Sequence, residues 1–256
     1  MENPGLNYFF PRVAVITLDQ RKEYITTTME RMNVDITHLF PAILGSSLDR
    51  TQLIQSNIIA PDCRLNLNEI ACALSHLSVI QEFYNTSFDN DETLFIFEDD
   101  IVYDPNYFPR LATIMRDVPS DWDFIQFGHC YSNCKSMALI RGQVYKSSNP
   151  LCCHSYAITR RCAHTILQHC SRLAVAIDVY YIQLMQQEKI NYYTVYPLLF
   201  SQLKAVMSSP SAVFTSTLGN FDSAVECYPE LILADTNHSF SNITIVLVLV
   251  LLLVCR

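Results

Sequence analysis

The run Thr93-Leu94-Phe95-Ile96-Phe97 is apolar and β-forming, and it stops abruptly at Glu98-Asp99-Asp100. Three adjacent carboxylates repel one another and lose hydration wherever they are partly buried, so such a cluster is tolerated chiefly where positive charge sits among its members. Hard divalent cations such as magnesium and manganese prefer carboxylate oxygens and keep open positions for the phosphates of a substrate. In an open α/β sheet the ligand crevice lies beyond the carboxyl ends of the strands, which is where this cluster falls. A solvated turn after a core strand would use the same residues without any chemistry, so the surrounding elements decide between the two.

Those elements alternate. Arg12–Leu18 has the composition of a first strand, residues 21–32 form a polar, helix-compatible segment, and Ile36–Leu44 is a second strand ending at Gly45. Strand–helix–strand order favours an α/β architecture whose sheet is at least partly parallel. Asn66 and Glu69 have capping-box spacing and open a helix running to about Tyr84, with Ile70, Cys72, Ala73, Leu77 and Ile80 turned inward. After the acidic strand, Pro105–Asp117 is a helix with proline in its first turn, and Asp123–Gly128 is a short strand with a glycine stop. Residues 129–153 have the Ser/Cys-containing irregularity of a substrate-contacting loop. Ser155–Thr159, a helix over 161–170 and a second helix starting near Asp178 complete the pattern.

Half of the 256 residues are hydrophobic, enough for one substantial core, which we assign to a domain over residues 8–205. Residues 206–242 turn Ser-rich and are expected to be a partly ordered tether. From Ile243 to Cys255 every residue except Thr244 is apolar, which suggests a carboxy-terminal membrane anchor. At about 1.5 Å per residue that run reaches only about 20 Å of the roughly 30 Å hydrocarbon core, so flanking residues must contribute. A buried terminal strand or helix and a lipid-anchor signal are the other readings. A tail anchor would face the domain to the cytosol; a lumenal domain would make glycosylation at Asn85, Asn237 or Asn242 relevant. Ten cysteines do not settle the compartment: most read as buried thiols, with one or two disulfides if the domain is lumenal. A net charge of −8 without a Lys/Arg run argues against a nucleic-acid partner.

The order of four blocks is specific. Arg12–Leu18, then Leu67-Asn68-Glu69-Ile70-Ala71-Cys72-Ala73-Leu74-Ser75-His76, then Phe97-Glu98-Asp99-Asp100, then Ile177-Asp178, resembles glycosyltransferase family 25, which includes bacterial lipooligosaccharide galactosyltransferases and a domain of procollagen galactosyltransferases. Asp121-Trp122-Asp123, Tyr156-Ala157-Ile158, Ala163 and Tyr196-Pro197 extend the likeness over residues 10–202. The resemblance implies a GT-A-like nucleotide-sugar-binding fold with a mixed, mainly parallel sheet. It implies a UDP-galactose or UDP-glucose donor, a divalent cation (manganese, or magnesium), and inverting transfer to a hydroxyl.

Site roles follow from that resemblance. Glu98 and Asp100, two apart at a strand end and so facing the same way, stand at the family's Asp-x-Asp-like position and are expected to hold the metal. Asp99 is expected to orient ribose or sugar. Asp178, at a helix start, is the expected general base, though an acid in a first helical turn is also favoured by the helix dipole. Glu69 and His76 lie two helical turns apart on one face and with Ser75 are expected to line the donor pocket, where a cap (Glu69) and an interior histidine (His76) are the plainer roles. Arg21 could meet phosphate. Asn68 stands where many relatives have glycine, and no histidine or acid follows Tyr196-Pro197 to serve as a late metal ligand.

The expectation is therefore a membrane-tethered, metal-assisted hexosyltransferase acting on a glycan, a lipid-linked sugar or a hydroxylysine-type acceptor. The rival from another class is a catalytically silent relative that uses the same pocket for binding or adhesion. A nucleotidyl- or phosphotransferase is disfavoured, since no Gly-rich phosphate loop with lysine is present.

Overall fold

The computed structural model describes residues 5–130, 137–147 and 149–203. The tether and the apolar run at 243–255 lie outside the described residues, as do the sequons at Asn237 and Asn242. Among the described residues no helix is long and apolar enough to cross a membrane.

The chain opens with α1 (Leu6–Phe9), β1 (Arg12–Thr17), α2 (Lys22–Arg31), β2 (His38–Pro41), α3 (Arg50–Gln55) and α4 (Leu67–Thr86). Then come β3 (Thr93–Glu98), β4 (Ile101–Tyr103), α5 (Tyr107–Asp117), β5 (Phe124–Cys130), β6 (Ala138–Arg141) and β7 (Val144–Lys146). The last elements are β8 (Leu151–Thr159), α6 (Arg160–His169), α7 (Ile177–Gln186), β9 (Tyr192–Val195) and β10 (Phe200–Gln202).

Eight strands form one sheet in the order β2-β1-β3-β8-β5-β9-β7-β6, and β4 pairs with β10 beside it. β1 runs parallel to β2 and β3, and β5 parallel to β9, while β8 lies antiparallel between β3 and β5. With β7 antiparallel to both β9 and β6, six strands of the sheet point one way and two, the central β8 and the peripheral β7, are reversed, a mixed α/β sheet compatible with the GT-A-like expectation.

Alternation along the strands builds a layer on each face. Ala14, Ile16, Leu94, Ile96, Phe124, Tyr156 and Tyr192 pack with α3, α4, α6 and α7. Their neighbours Val13, Val15, Phe95, Phe97, Ile125, Phe127 and Tyr193 pack with α1, α2 and α5. With both faces covered, central strands need not alternate apolar with polar, and they read as continuous buried runs.

That covering explains where the sequence expectations fail. Leu151–Thr159 is one long strand, buried along almost its whole length, rather than a loop leading into a five-residue strand. Its Cys152, Cys153, His154 and Ser155 lack any period-two signal. Part of the expected loop is also the β6–β7 hairpin. Gly128 does not stop β5, which runs on to Cys130. A Cβ there would lie 2.3 Å from His154 Nε2 and 2.5 Å from the Phe200 carbonyl oxygen, so the glycine answers a close backbone approach. The second strand covers only His38–Pro41 of the expected 36–44.

Candidate functional site

Register brings the site together. In the β1–β3 pair Ile16 sits opposite Glu98, so the turn after β1 lies beside the acids that end β3. β8 runs the other way, with Ser155 opposite both Phe97 and Gly128, which delivers its Cys152–His154 segment to the same end of the sheet. Cys130, closing β5, is disulfide-bonded there to Cys152, the Cα atoms 5.6 Å apart. Cys153 and Cys162 are buried thiols, as composition suggested.

The helix that supplies the crevice wall starts as the sequence predicts. Asn66 Oδ1 accepts from the N–H groups of Asn68 and Glu69, each at 2.9 Å, and Glu69 Oε2 accepts from the Asn66 N–H at 2.7 Å. One carboxylate oxygen of Glu69 is thereby committed to the capping box. Ser75 does not face the crevice: it is 2% exposed, donates to the Ala71 carbonyl and accepts from the Ile43 N–H at 2.9 Å, tying the segment after β2 to α4.

His76 is 1% exposed, with Nε2 3.1 Å from Glu98 Oε1 and Nδ1 2.8 Å from Tyr156 Oη. Tyr156 Oη is in turn 3.2 Å from Tyr181 Oη. A carboxylate can only accept, so Nε2–H donates to Glu98 and Nδ1 accepts from Tyr156, which accepts from Tyr181. A chain of buried donors therefore runs from α7 through β8 and α4 to the end of β3. Burial would raise the Glu98 carboxyl, but the hydrogen bond from His76 and the nearby positive charge, that of Arg21 included, outweigh it and hold it below the ordinary range.

Asp99 is a latch. Its Oδ2 accepts from the Leu18 N–H at 2.7 Å and its Oδ1 from Arg21 Nη1 at 2.9 Å, so both oxygens hold the turn after β1 to the end of β3. The Arg21 guanidinium, weighed above as a phosphate contact, lies on Asp99 and, at 3.6 Å, on Asp100.

Asp100 is 8% exposed, and its Oδ1 has no hydrogen-bond partner among the described residues. Burial, reinforced by the Glu98 charge, pushes its carboxyl up to about 7. An orphaned carboxylate oxygen next to a second carboxylate is what a divalent cation satisfies, and the Glu98/Asp100 pair fits a hard cation in its donor atoms and its charge. The shift has a measurable sign. Between pH ~4 and ~7 the folded chain keeps a proton that the unfolded chain has shed, so this group's contribution to stability falls as pH rises through that window. In buffer free of divalent ions, Asp100→Asn should gain stability on the parent between pH 5 and pH 8 in urea unfolding.

Asp178 opens α7 and reaches back to the sheet. Oδ2 accepts from the Cys152 N–H at 2.9 Å and Oδ1 from the Val179 N–H at 2.8 Å. Burial and the Glu98 charge hold its carboxyl above the ordinary value in spite of those two bonds. A carboxylate so tuned holds a proton more readily near neutral pH than a solvated aspartate does. Asp121 and Asp123 lie at the other end of β5: Asp123 accepts from the Asn191 N–H at 2.8 Å and from Arg161 Nε at 2.7 Å, a structural junction.

Two participants were not singled out from the sequence. Cys72, expected to pack in the core, has Sγ 3.9 Å from Glu98 Oε1, and its four-residue spacing from His76 was the available signal. His154, within the reach of the Glu98 charge, has a buried Nδ1 without a hydrogen-bond partner among the described residues, and no motif marks it in the sequence.

No match is found among the curated proteins. The model of glycosyltransferase family 25 (LPS biosynthesis protein) matches residues 12–181, from β1 through α4 and the acidic end of β3 to Asp178 and Tyr181. This chain belongs to glycosyltransferase family 25 and is a glycosyltransferase.

Proposed function

We propose that the protein moves a hexose, galactose or glucose, from a UDP-sugar to a hydroxyl acceptor with inversion, assisted by Mn2+ or Mg2+ at Glu98 and Asp100. The observation that carries this reading is the gathering of Glu98, Asp100 and Asp178 at the carboxyl ends of β1, β3 and β5, where the Glu98 charge adds to burial in raising both aspartates. Their environments push them apart: Glu98 is held ionised by His76, whereas Asp178 is held proton-seeking by burial. Groups separated in this way divide acid–base and charge-stabilising duties between them.

Breaking a sugar–diphosphate bond builds negative charge on the departing side. A divalent cation, when bound, neutralises that charge. Glu98 and Asp100 would hold it, with His76 fixing the Glu98 rotamer and Arg21 sharing the charge of Asp100. Asp178 accepts the acceptor hydroxyl's proton as the new bond forms, and the Cys152 and Val179 amides orient its carboxylate while it does so. The acceptor class, whether glycan, lipid-linked sugar or hydroxylysine-type side chain, follows from the family only as a sugar-bearing or hydroxyl-bearing substrate.

The test is UDP release from a panel of UDP-sugars with and without manganese, for the parent and for Asp100→Ala. We expect metal-dependent release from one donor and a loss of at least about 100-fold in the variant. No release together with no donor binding across the panel would overturn the proposal and favour a silent, sugar-binding relative.

A further inference from the structure

Cys72 and His76 project from the same face of α4 one turn apart, and both reach one oxygen of Glu98, at 3.9 Å and 3.1 Å. The ligand atoms of the three residues all lie within 4.8 Å of one another. Around a tetrahedral Zn2+, with bonds of about 2.3 Å to sulfur and about 2.0–2.1 Å to nitrogen and oxygen, ligand atoms sit about 3.3–3.6 Å apart. The two separations from Glu98 bracket that range and the third is no more than 4.8 Å, so modest side-chain adjustment would close the trio on an ion.

We propose that Cys72, His76 and Glu98 form a site for a borderline-soft divalent ion, of which Zn2+ is the chemical match, and that this ion competes with the donor's cation for Glu98. The competition rests on the assignment of Glu98 to the donor's cation; the three-residue site does not. Thiolate and imidazole select against magnesium and manganese and for zinc, so the Cys72/His76 partners of Glu98 and its proposed Asp100 partner prefer different ions.

The supporting hydrogen bonds suit a metal-bound imidazole. With Nε2 on the ion, His76 changes tautomer and Nδ1–H donates to Tyr156 Oη, whose own proton turns to Tyr181 Oη 3.2 Å away. A histidine ligand held through its second nitrogen by a fixed partner is the usual arrangement at protein metal centres. The proton balance is simple: the Cys72 thiol loses its proton to solvent, and His76 gives up one proton at Nε2 and gains one at Nδ1. Asp100, Asp178 and Glu69, which join burial and Glu98 in opposing a bare thiolate at Cys72, attract the dication that replaces the proton.

Cobalt is the probe, because Zn2+ is spectroscopically silent. The full chain, stripped of metal and titrated with Co2+, should develop a thiolate-to-cobalt absorption and tetrahedral d–d bands that saturate at one equivalent and vanish on adding Zn2+. Cys72→Ser should remove the thiolate band. Absence of the band in the parent, or an unchanged band in Cys72→Ser, overturns the site. Where a donor is turned over with manganese, stoichiometric Zn2+ should suppress the rate, and Cys72→Ser should need at least about 10-fold more zinc for the same fractional loss. Zinc bound without suppression overturns the competition while leaving the site. Absence of turnover with every donor counts against the proposed function, and the cobalt spectrum still decides this site.

Discussion

Asp178→Asn should lower the transfer rate by about 10²–10⁴-fold, the usual worth of a positioned general base, while leaving donor binding close to that of the parent. The substitution is nearly isosteric but not free of structural cost. Both carboxylate oxygens accept backbone N–H groups, from Cys152 and Val179, and an amide can offer only one oxygen to them. One N–H therefore loses its acceptor, at about 1–2 kcal/mol. Stability and rate separate the two roles. A residue that merely pins β8 to the start of α7 would lose melting temperature and keep its turnover. The base would lose turnover far beyond what that destabilisation accounts for, together with the acidic limb of the pH–rate profile. Normal turnover in the Asn variant removes the assignment.

The second large effect is on folding. Asp99→Ala should destabilise the protein by about 2–4 kcal/mol, because it removes the acceptor of the Leu18 N–H and the charge-assisted bond to Arg21 Nη1 at once. For a domain of this size that is a fall of roughly 5–15 °C in the unfolding midpoint, measured without donor or metal. An Asp99 that only oriented ribose or sugar would instead raise the donor KM and leave the midpoint where it was. A shift below about 1 °C would remove the latch role.

Local signals were legible in the sequence where a residue's partner lies within a turn or two of chain. The Asn66–Glu69 capping box is such a case, its two partners three residues apart. The end of β3 was legible too, because an apolar run that stops at three carboxylates marks the point where a strand leaves the core for a polar crevice. What resisted reading depended on long-range pairing. Ser75 has the motif position of a pocket residue, yet its hydroxyl is spent on Ile43, 32 residues earlier. Tyr156 has the signature of sheet core, and it is core; its phenol also carries the contact from Tyr181 to His76, which no local pattern shows. β8 was shortened to its last five residues because a central strand covered on both faces loses the alternation by which strands are recognised. The likeness to family 25 supplied the order of the blocks, and the register of β1, β3 and β8 supplied the reason that order makes a crevice.

Arg21 has a bearing on the catalytic cycle. By resting on Asp99 and within 3.6 Å of Asp100, its guanidinium is a counter-charge that the chain carries permanently. A cluster partly balanced in this way asks less of an ion to remain folded between turnovers. Under the proposed chemistry the cation can then enter with each incoming nucleotide and depart with each spent one, so its residence time is set by nucleotide exchange rather than by protein unfolding.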